Sequence, residues 1–299
     1  MADIERISFY DQISRNKWKS FFLIFVIFLV FLIFGFVIGK IFGGDYFFII
    51  MIVSIIISIL YIWLGYYNSD KIALASVNAK PAEPRVYREY HNIVEGLTLA
   101  SGMPKPRLYV MENPNINAFA SGRDPKHAVI AVTTGALQKL NKHELEGVLG
   151  HELSHIANFD IRFMTLTAVL VGMIAIASEI FLRSLWFRGS GDRDNRGNAI
   201  LMLIGLVLAI LAPILVQLVQ FAISRKREYV ADASAVKFIR SPTGLINALK
   251  KIKNENTIPS KNISKAIAPL FISNPFKKLG SLTSTHPPLE SRIQILEKM

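Results

Sequence analysis

The stretch GVLGHELSHIANFD, residues 147–160, places two of the chain's six histidines four positions apart around a glutamate. Just upstream, Asn141 followed three residues later by Glu144 has the form of a capping box, and Leu145, Val148, Leu149 and Leu153 recur at helical spacing. The spacing predicts a helix that carries His151 and His155 one turn apart on the same face. Two imidazoles so placed can bind one tetrahedral ion, and Glu152, following the first of them, projects beside it where a metal-held water would sit. This is the HExxH pattern. Its carboxylate takes a proton from a water whose pKa the ion lowers, which makes a hydroxide-like nucleophile at neutral pH. His143-Glu144 begins an imitation, but position 147 is glycine and the second histidine is missing.

The motif alone arises by chance in about one chain of this length in two hundred, and two satisfied helix-surface histidines are the alternative reading. A catalytic zinc needs three protein ligands and an open position; the chain has no cysteine and no third histidine close downstream, so a carboxylate is required. Glu179 is favoured by simple spacing but sits in an apolar run next to Arg183. Glu228 opens EYVADASAVKF (228–238), which puts Asp232 one helical turn on. Such a pair supplies a ligand and a second carboxylate to hold the first histidine's other ring nitrogen, and Glu228 is preferred.

The surroundings of the motif are apolar. Hydrophobic residues make up 52% of the chain and its mean hydropathy is positive, which points to a bilayer. Phe21–Ile38 and Phe47–Tyr67 are each long enough to cross and read as a hairpin. A cleaved signal peptide is disfavoured, because twenty residues precede the first run, no small-residue cleavage site follows, and a second span comes at once. Phe163–Ser178 and Ala199–Ser224 read as a second hairpin around the polar loop Gly189–Asn198, with Glu179 and Arg183 spaced to pair near the interface. Four transmembrane helices are therefore expected. His155 precedes the third and Glu228 follows the fourth, so an even number of crossings returns both to one membrane face.

The division predicted is 1–67 for an N-terminal arm and hairpin, 68–162 and 225–299 for the two parts of a water-exposed domain, and 163–224 for the second hairpin. Basic clusters at Arg6, Arg15, Lys17 and Lys19, at Lys71, Lys80, Arg85 and Arg88, and at Arg225–Arg227 belong on the cytoplasmic side. They account for most of the net charge of +12, and no basic motif interleaved with aromatics suggests nucleic-acid binding. Trp18, Trp63 and Trp186 fall near span ends, as interface anchors do. Within residues 106–137, Arg107–Met111, Asn117–Ser121 and Ala128–Thr133 read as short strands between Pro, Asn and Gly turn signals.

NINAFASG (115–122), GVLGHELSHIANFD, SRKREYVADASAVK (224–237) and STHPPLESRI (284–293), in this order, resemble the HtpX-type membrane zinc endopeptidases, relatives of the CAAX prenyl protease. The likeness covers nearly the whole chain. It implies a mainly α membrane protein with a cytoplasmic zincin-like (gluzincin) α+β protease domain containing a small sheet. It also implies one zinc ion per chain, multi-pass placement in the cytoplasmic (inner) membrane with the active site facing the cytoplasm, and a stress-linked role in quality control of unfolded or membrane proteins.

By the same resemblance His151, His155 and Glu228 match the zinc ligands and Glu152 the catalytic base. Asn117, Ala118 and Phe119 match an edge strand that pairs with extended substrate, although a turn asparagine and a core phenylalanine explain them equally. His286 is a candidate oxyanion donor or a structural cap before Pro287. Asp160 reads as a residue that ends the helix or bonds backbone, Arg292 as a structural ion-pair partner, and His91 and His127 as ordinary surface or half-buried positions. Processing of prenylated or C-terminal peptides, a non-proteolytic zinc-binding scaffold and a transporter component are the competing functions; a homo-oligomer is compatible with the sequence.

Overall fold

A computed structural model describes residues 9–42, 44, 46–168, 205, 225–255, 270–273 and 287–299. Two helices come first, α1 (Phe9–Phe42) and α2 (Tyr46–Tyr67). Each is long and apolar enough to cross a membrane, α1 through the 21 residues Asn16–Phe36 and α2 through all 22 of its own. They pack against each other as a hairpin. A Cβ added to Gly35 would lie 2.1 Å from Ser54 Oγ, so glycine here sets how closely the two backbones approach. Away from this seam Phe21, Phe25, Phe48, Ile52, Ile56 and Leu60 are exposed, a surface suited to lipid rather than water. The second expected hairpin lies outside the described residues except at 163–168 and 205.

The remaining elements are α3 (Ser69–Ala75), β1 (Lys80–Pro81), α4 (Arg88–Ser101), β2 (Arg107–Met111), β3 (Ala118–Gly122), β4 (Ala128–Thr133), α5 (Thr134–Lys139), α6 (Lys142–Ala157), α7 (Arg225–Ile239), α8 (Thr243–Glu255) and α9 (Leu289–Leu296). The sheet has the order β1-β2-β4-β3, with β2 and β4 parallel and the outer pairs antiparallel. β3 starts one residue later than the sequence suggests, because the Asn117 amide bonds to the Thr133 side chain.

Both faces of the sheet are covered, which explains why its inner strands are apolar at almost every position. Leu108, Val110, Ala120, Ile130 and Val132 face the larger core, shared with α4, α6, α8 and α9. Met111, Phe119, Val129 and Ala131 face a second cluster with Leu74, Met164 and Phe271. On α4 the buried Tyr90, Ile93, Val94 and Leu97 form one helical stripe, and the Tyr90 hydroxyl donates to the Ile130 carbonyl at 3.1 Å.

Helix α6 runs through the centre, with every residue from Gly147 to Ala157 buried. It packs on α7 and α8 and on α4 and β3. Its approach to α8 depends on Gly147, where a Cβ would meet the Leu245 backbone nitrogen at 2.4 Å. Backbone cannot rotate out of the way as a side chain can, so Gly147→Ala has to separate the helices. The expected loss is about 1–3 kcal/mol, read as a fall in thermal midpoint of the detergent-solubilised chain; an unchanged midpoint would show that the contact yields freely.

Candidate metal centre

Helix α6 is fixed at its start by the capping box that the sequence predicts. Asn141 Oδ1 accepts from the Glu144 amide at 3.0 Å, and Glu144 Oε2 accepts from the Asn141 amide at 2.8 Å. About two and three turns beyond Glu144, the helix brings His151 and His155 against each other, their Nε2 atoms 3.2 Å apart. From the facing helix α7, Glu228 reaches between them: Oε2 lies 3.6 Å from His151 Nε2 and Oε1 3.6 Å from His155 Nε2. With one donor atom from each residue, the three sit within 4.8 Å of one another.

The ring nitrogens facing away from this cluster are held by two further carboxylates. His151 Nδ1 is 2.9 Å from Asp232 Oδ1, and His155 Nδ1 is 3.0 Å from Asp160 Oδ2. Asp232 is in turn gripped by Arg292, whose Nη2 and Nε donate to its two oxygens at 2.6 and 2.9 Å. Arg292 Nη1 donates to the Ile272 carbonyl at 3.3 Å and stands 3.4 Å from Glu228 Oε2. Asp160 Oδ1 accepts from Asn16 Nδ2 at 2.7 Å and lies 3.1 Å from Arg227 Nε. Each imidazole thus keeps Nε2 turned inward with its orientation set from behind.

Four buried carboxylates, Glu152, Asp160, Glu228 and Asp232, face two buried guanidinium groups, Arg227 and Arg292. That imbalance favours a cation. Burial and the charge of Arg292 push the His151 pKa down, but its bonds to Asp232 and Glu228 outweigh both and raise it to about 9. A bound cation would displace that proton. Asp232 is held below the usual carboxylate range: burial opposes this, and the Arg292 charge overcomes it. The donor set also fits zinc in spacing, since ligands at ~2.0–2.1 Å in a tetrahedron stand roughly 3.3 Å apart.

Glu152 is 1% exposed, and neither of its carboxylate oxygens has a hydrogen-bond partner among the described residues. Burial pushes its pKa up, opposed by the two histidines. A buried carboxylate left without partners beside a histidine pair is costly as structure, and the cost is understandable if it handles a proton.

The model of Peptidase family M48 matches residues 84–299, a span that contains every one of these side chains except Asn16. The chain belongs to peptidase family M48. It is a metallopeptidase. This M48 chain is 52% identical over 246 residues to a protease HtpX homolog of Caldanaerobacter subterraneus subsp. tengcongensis, covering 81% of this chain and 82% of that one. It is 42% identical over 293 residues to a protease HtpX homolog of Dictyoglomus thermophilum, covering 98% and 95%. Its fold is similar to the crystal structure of S. mikatae Ste24p, with a TM-score of 0.52 at 20% identity, covering 95% of this chain and 65% of that one.

Of the residues singled out in the M48 sequence, the structure brings His151, His155, Glu228, Glu152 and Asp232 to one place. Asn117, Ala118 and Phe119 are buried on the outer edge of the sheet and engaged by residues 271–273. Asn117 Nδ2 donates to the Ser273 carbonyl at 2.9 Å, the Ile272 amide donates to the Ala118 carbonyl at 3.0 Å, and the Phe119 and Phe271 rings are 5.2 Å apart. His286 and Glu179 lie outside the described residues. Asp160 does more than end a helix, since it orients His155. Its position five residues beyond a histidine whose far nitrogen needs an acceptor is a readable local signal. Asn16 and Arg227 carry no comparable one.

Proposed function

We propose that this M48 metallopeptidase is a membrane-anchored zinc endopeptidase that cleaves unfolded or membrane polypeptides in protein quality control at the cytoplasmic membrane. His151, His155 and Glu228 hold the ion, Asp232 positions His151, and Glu152 is the general base. The observation that carries this reading is the buried Glu152 carboxylate, without a hydrogen-bond partner among the described residues, beside three converging donor groups.

When bound, zinc polarises the scissile carbonyl and lowers the pKa of water toward neutrality. Glu152 accepts the proton of the attacking water and returns it to the leaving amine; its raised pKa brings it nearer the working pH than a solvent-exposed glutamate. His286 remains a candidate donor to the developing oxyanion. An extended substrate pairs with the β3 edge at Asn117, Ala118 and Phe119 once residues 271–273 leave it. Backbone pairing replaces the hydrogen bonds given up there and reads many sequences alike, which suits a quality-control enzyme.

The protease domain is assembled from 68–162 and 225–299, with its site facing the cytoplasm, where the basic arm around Lys17 and Lys19 belongs by the positive-inside rule. Cleavage of casein by the full chain in detergent tests the proposal. Activity should vanish on chelation and return with zinc. Cleavage indifferent to chelator would remove the metal from the mechanism.

A further inference from the structure

Asn16 lies at the start of the apolar span of α1 and is 3% exposed. Both hydrogens of its side-chain amide are used. One goes to Asp160 Oδ1 at 2.7 Å, the other to the Asn158 carbonyl at 2.9 Å. The two acceptors flank Phe159, which adopts a left-handed conformation, φ 58°. For a bulky side chain that conformation is unfavourable and needs outside support. The amide therefore clamps the turn that follows α6, and the same turn aims Asp160 Oδ2 at His155 Nδ1, 3.0 Å away. Lys17, the next residue of α1, places its ammonium 4.9 Å from the Phe159 ring centroid and seats the turn from the same side.

We infer that Asn16 is a positioning residue for the metal centre, acting through Asp160 on the His155 ring, so that the first membrane helix completes the centre as well as anchoring the chain. The inference rests on His155 being a metal ligand. The chemistry calls for an amide: a carboxylate could not donate to Asp160, and an alkyl side chain would leave Asp160 Oδ1 with Arg227 alone among the contacts described above. Because α1 continues from Asn16 directly into its span, this one contact joins the carboxylate behind His155 to the membrane hairpin.

The test is metal affinity of the full chain in detergent, by competition with a chelator of known strength, together with the visible absorption of the cobalt-substituted protein. Asn16→Ala should weaken affinity about 10-fold, the lower end for groups that orient a ligand, and shift the cobalt bands. In an Asp160→Ala background the same substitution should have almost no further effect. Leu23→Ala, two turns along α1 and fully buried, loosens the helix without touching Asp160 and should leave the affinity unchanged. The inference is overturned if Leu23→Ala weakens metal as much as Asn16→Ala, or if Asn16→Ala costs as much with Asp160 absent as with it present. If the parent takes up no metal, or His155→Ala binds it as tightly as the parent, the proposed centre itself falls and this inference with it.

Discussion

Glu152→Gln should retain its metal and lose peptide hydrolysis by a factor of about 10³ or more, within reach of the 10²–10⁴ that a positioned general base contributes together with the charge it brings to the site. Glutamine has nearly the same shape, so the packing of α6 against α7 is preserved, and neither original carboxylate oxygen has a hydrogen-bond partner to lose among the described residues. What disappears is the ability to accept a proton from water and hand it to the leaving amine. Folding should not suffer, because a neutral amide is no harder to bury than a carboxylate whose ionisation burial already opposes. The measurement pairs turnover of casein with bound metal per chain. Metal retained with turnover gone assigns Glu152 to proton transfer. Turnover within a few-fold of the parent would mean that another group serves as the base.

The local parts of this site are legible in the sequence because their geometry is set by helical periodicity. His151 and His155 share a face at a separation of four, Glu228 and Asp232 do the same on α7, and Asn141 with Glu144 closes the cap on α6. The strands are legible for a similar reason, since apolar runs between Pro, Asn and Gly signals place β2 and β4 to the residue. What sequence cannot supply is the identity of partners that meet only in the fold. Asn16 and Asp160 are 144 positions apart, and an asparagine at the mouth of an apolar span looks like any interfacial polar residue. Arg292 reads as an ion-pair member, yet its partner, 60 positions away, follows only from the packing of α9 on α7. The occupation of the β3 edge by residues 271–273 is likewise a product of tertiary pairing, with Phe119 opposite Phe271 and no periodic pattern to announce it.

That Arg292–Asp232 pair leads to the largest stability effect expected of any single substitution in the domain. Arg292 is fully buried, binds both oxygens of Asp232, and stands beside Glu228, whose charge also raises the already high pKa of the guanidinium after burial and Asp232 have acted in opposite directions. Arg292→Met keeps much of the volume but leaves Asp232 buried with His151 as its remaining partner among the described contacts, so the loss should be about 3–5 kcal/mol. The cost should be greater in the metal-free protein, where Glu228 and Asp232, one turn apart on α7, have less positive charge nearby, and smaller when a cation is bound. Removing both charges separates the pair's two roles. Arg292→Met with Asp232→Leu should recover much of the stability, because a matched apolar pair replaces a buried ion pair at little cost. Metal affinity should stay low in the double variant, since His151 Nδ1 no longer has the carboxylate that orients its ring. Thermal midpoints with and without added zinc, alongside metal titration, read both quantities. A single variant within about 1 kcal/mol of the parent, or a double variant no more stable than the single, would show that Asp232 finds another partner when Arg292 is gone.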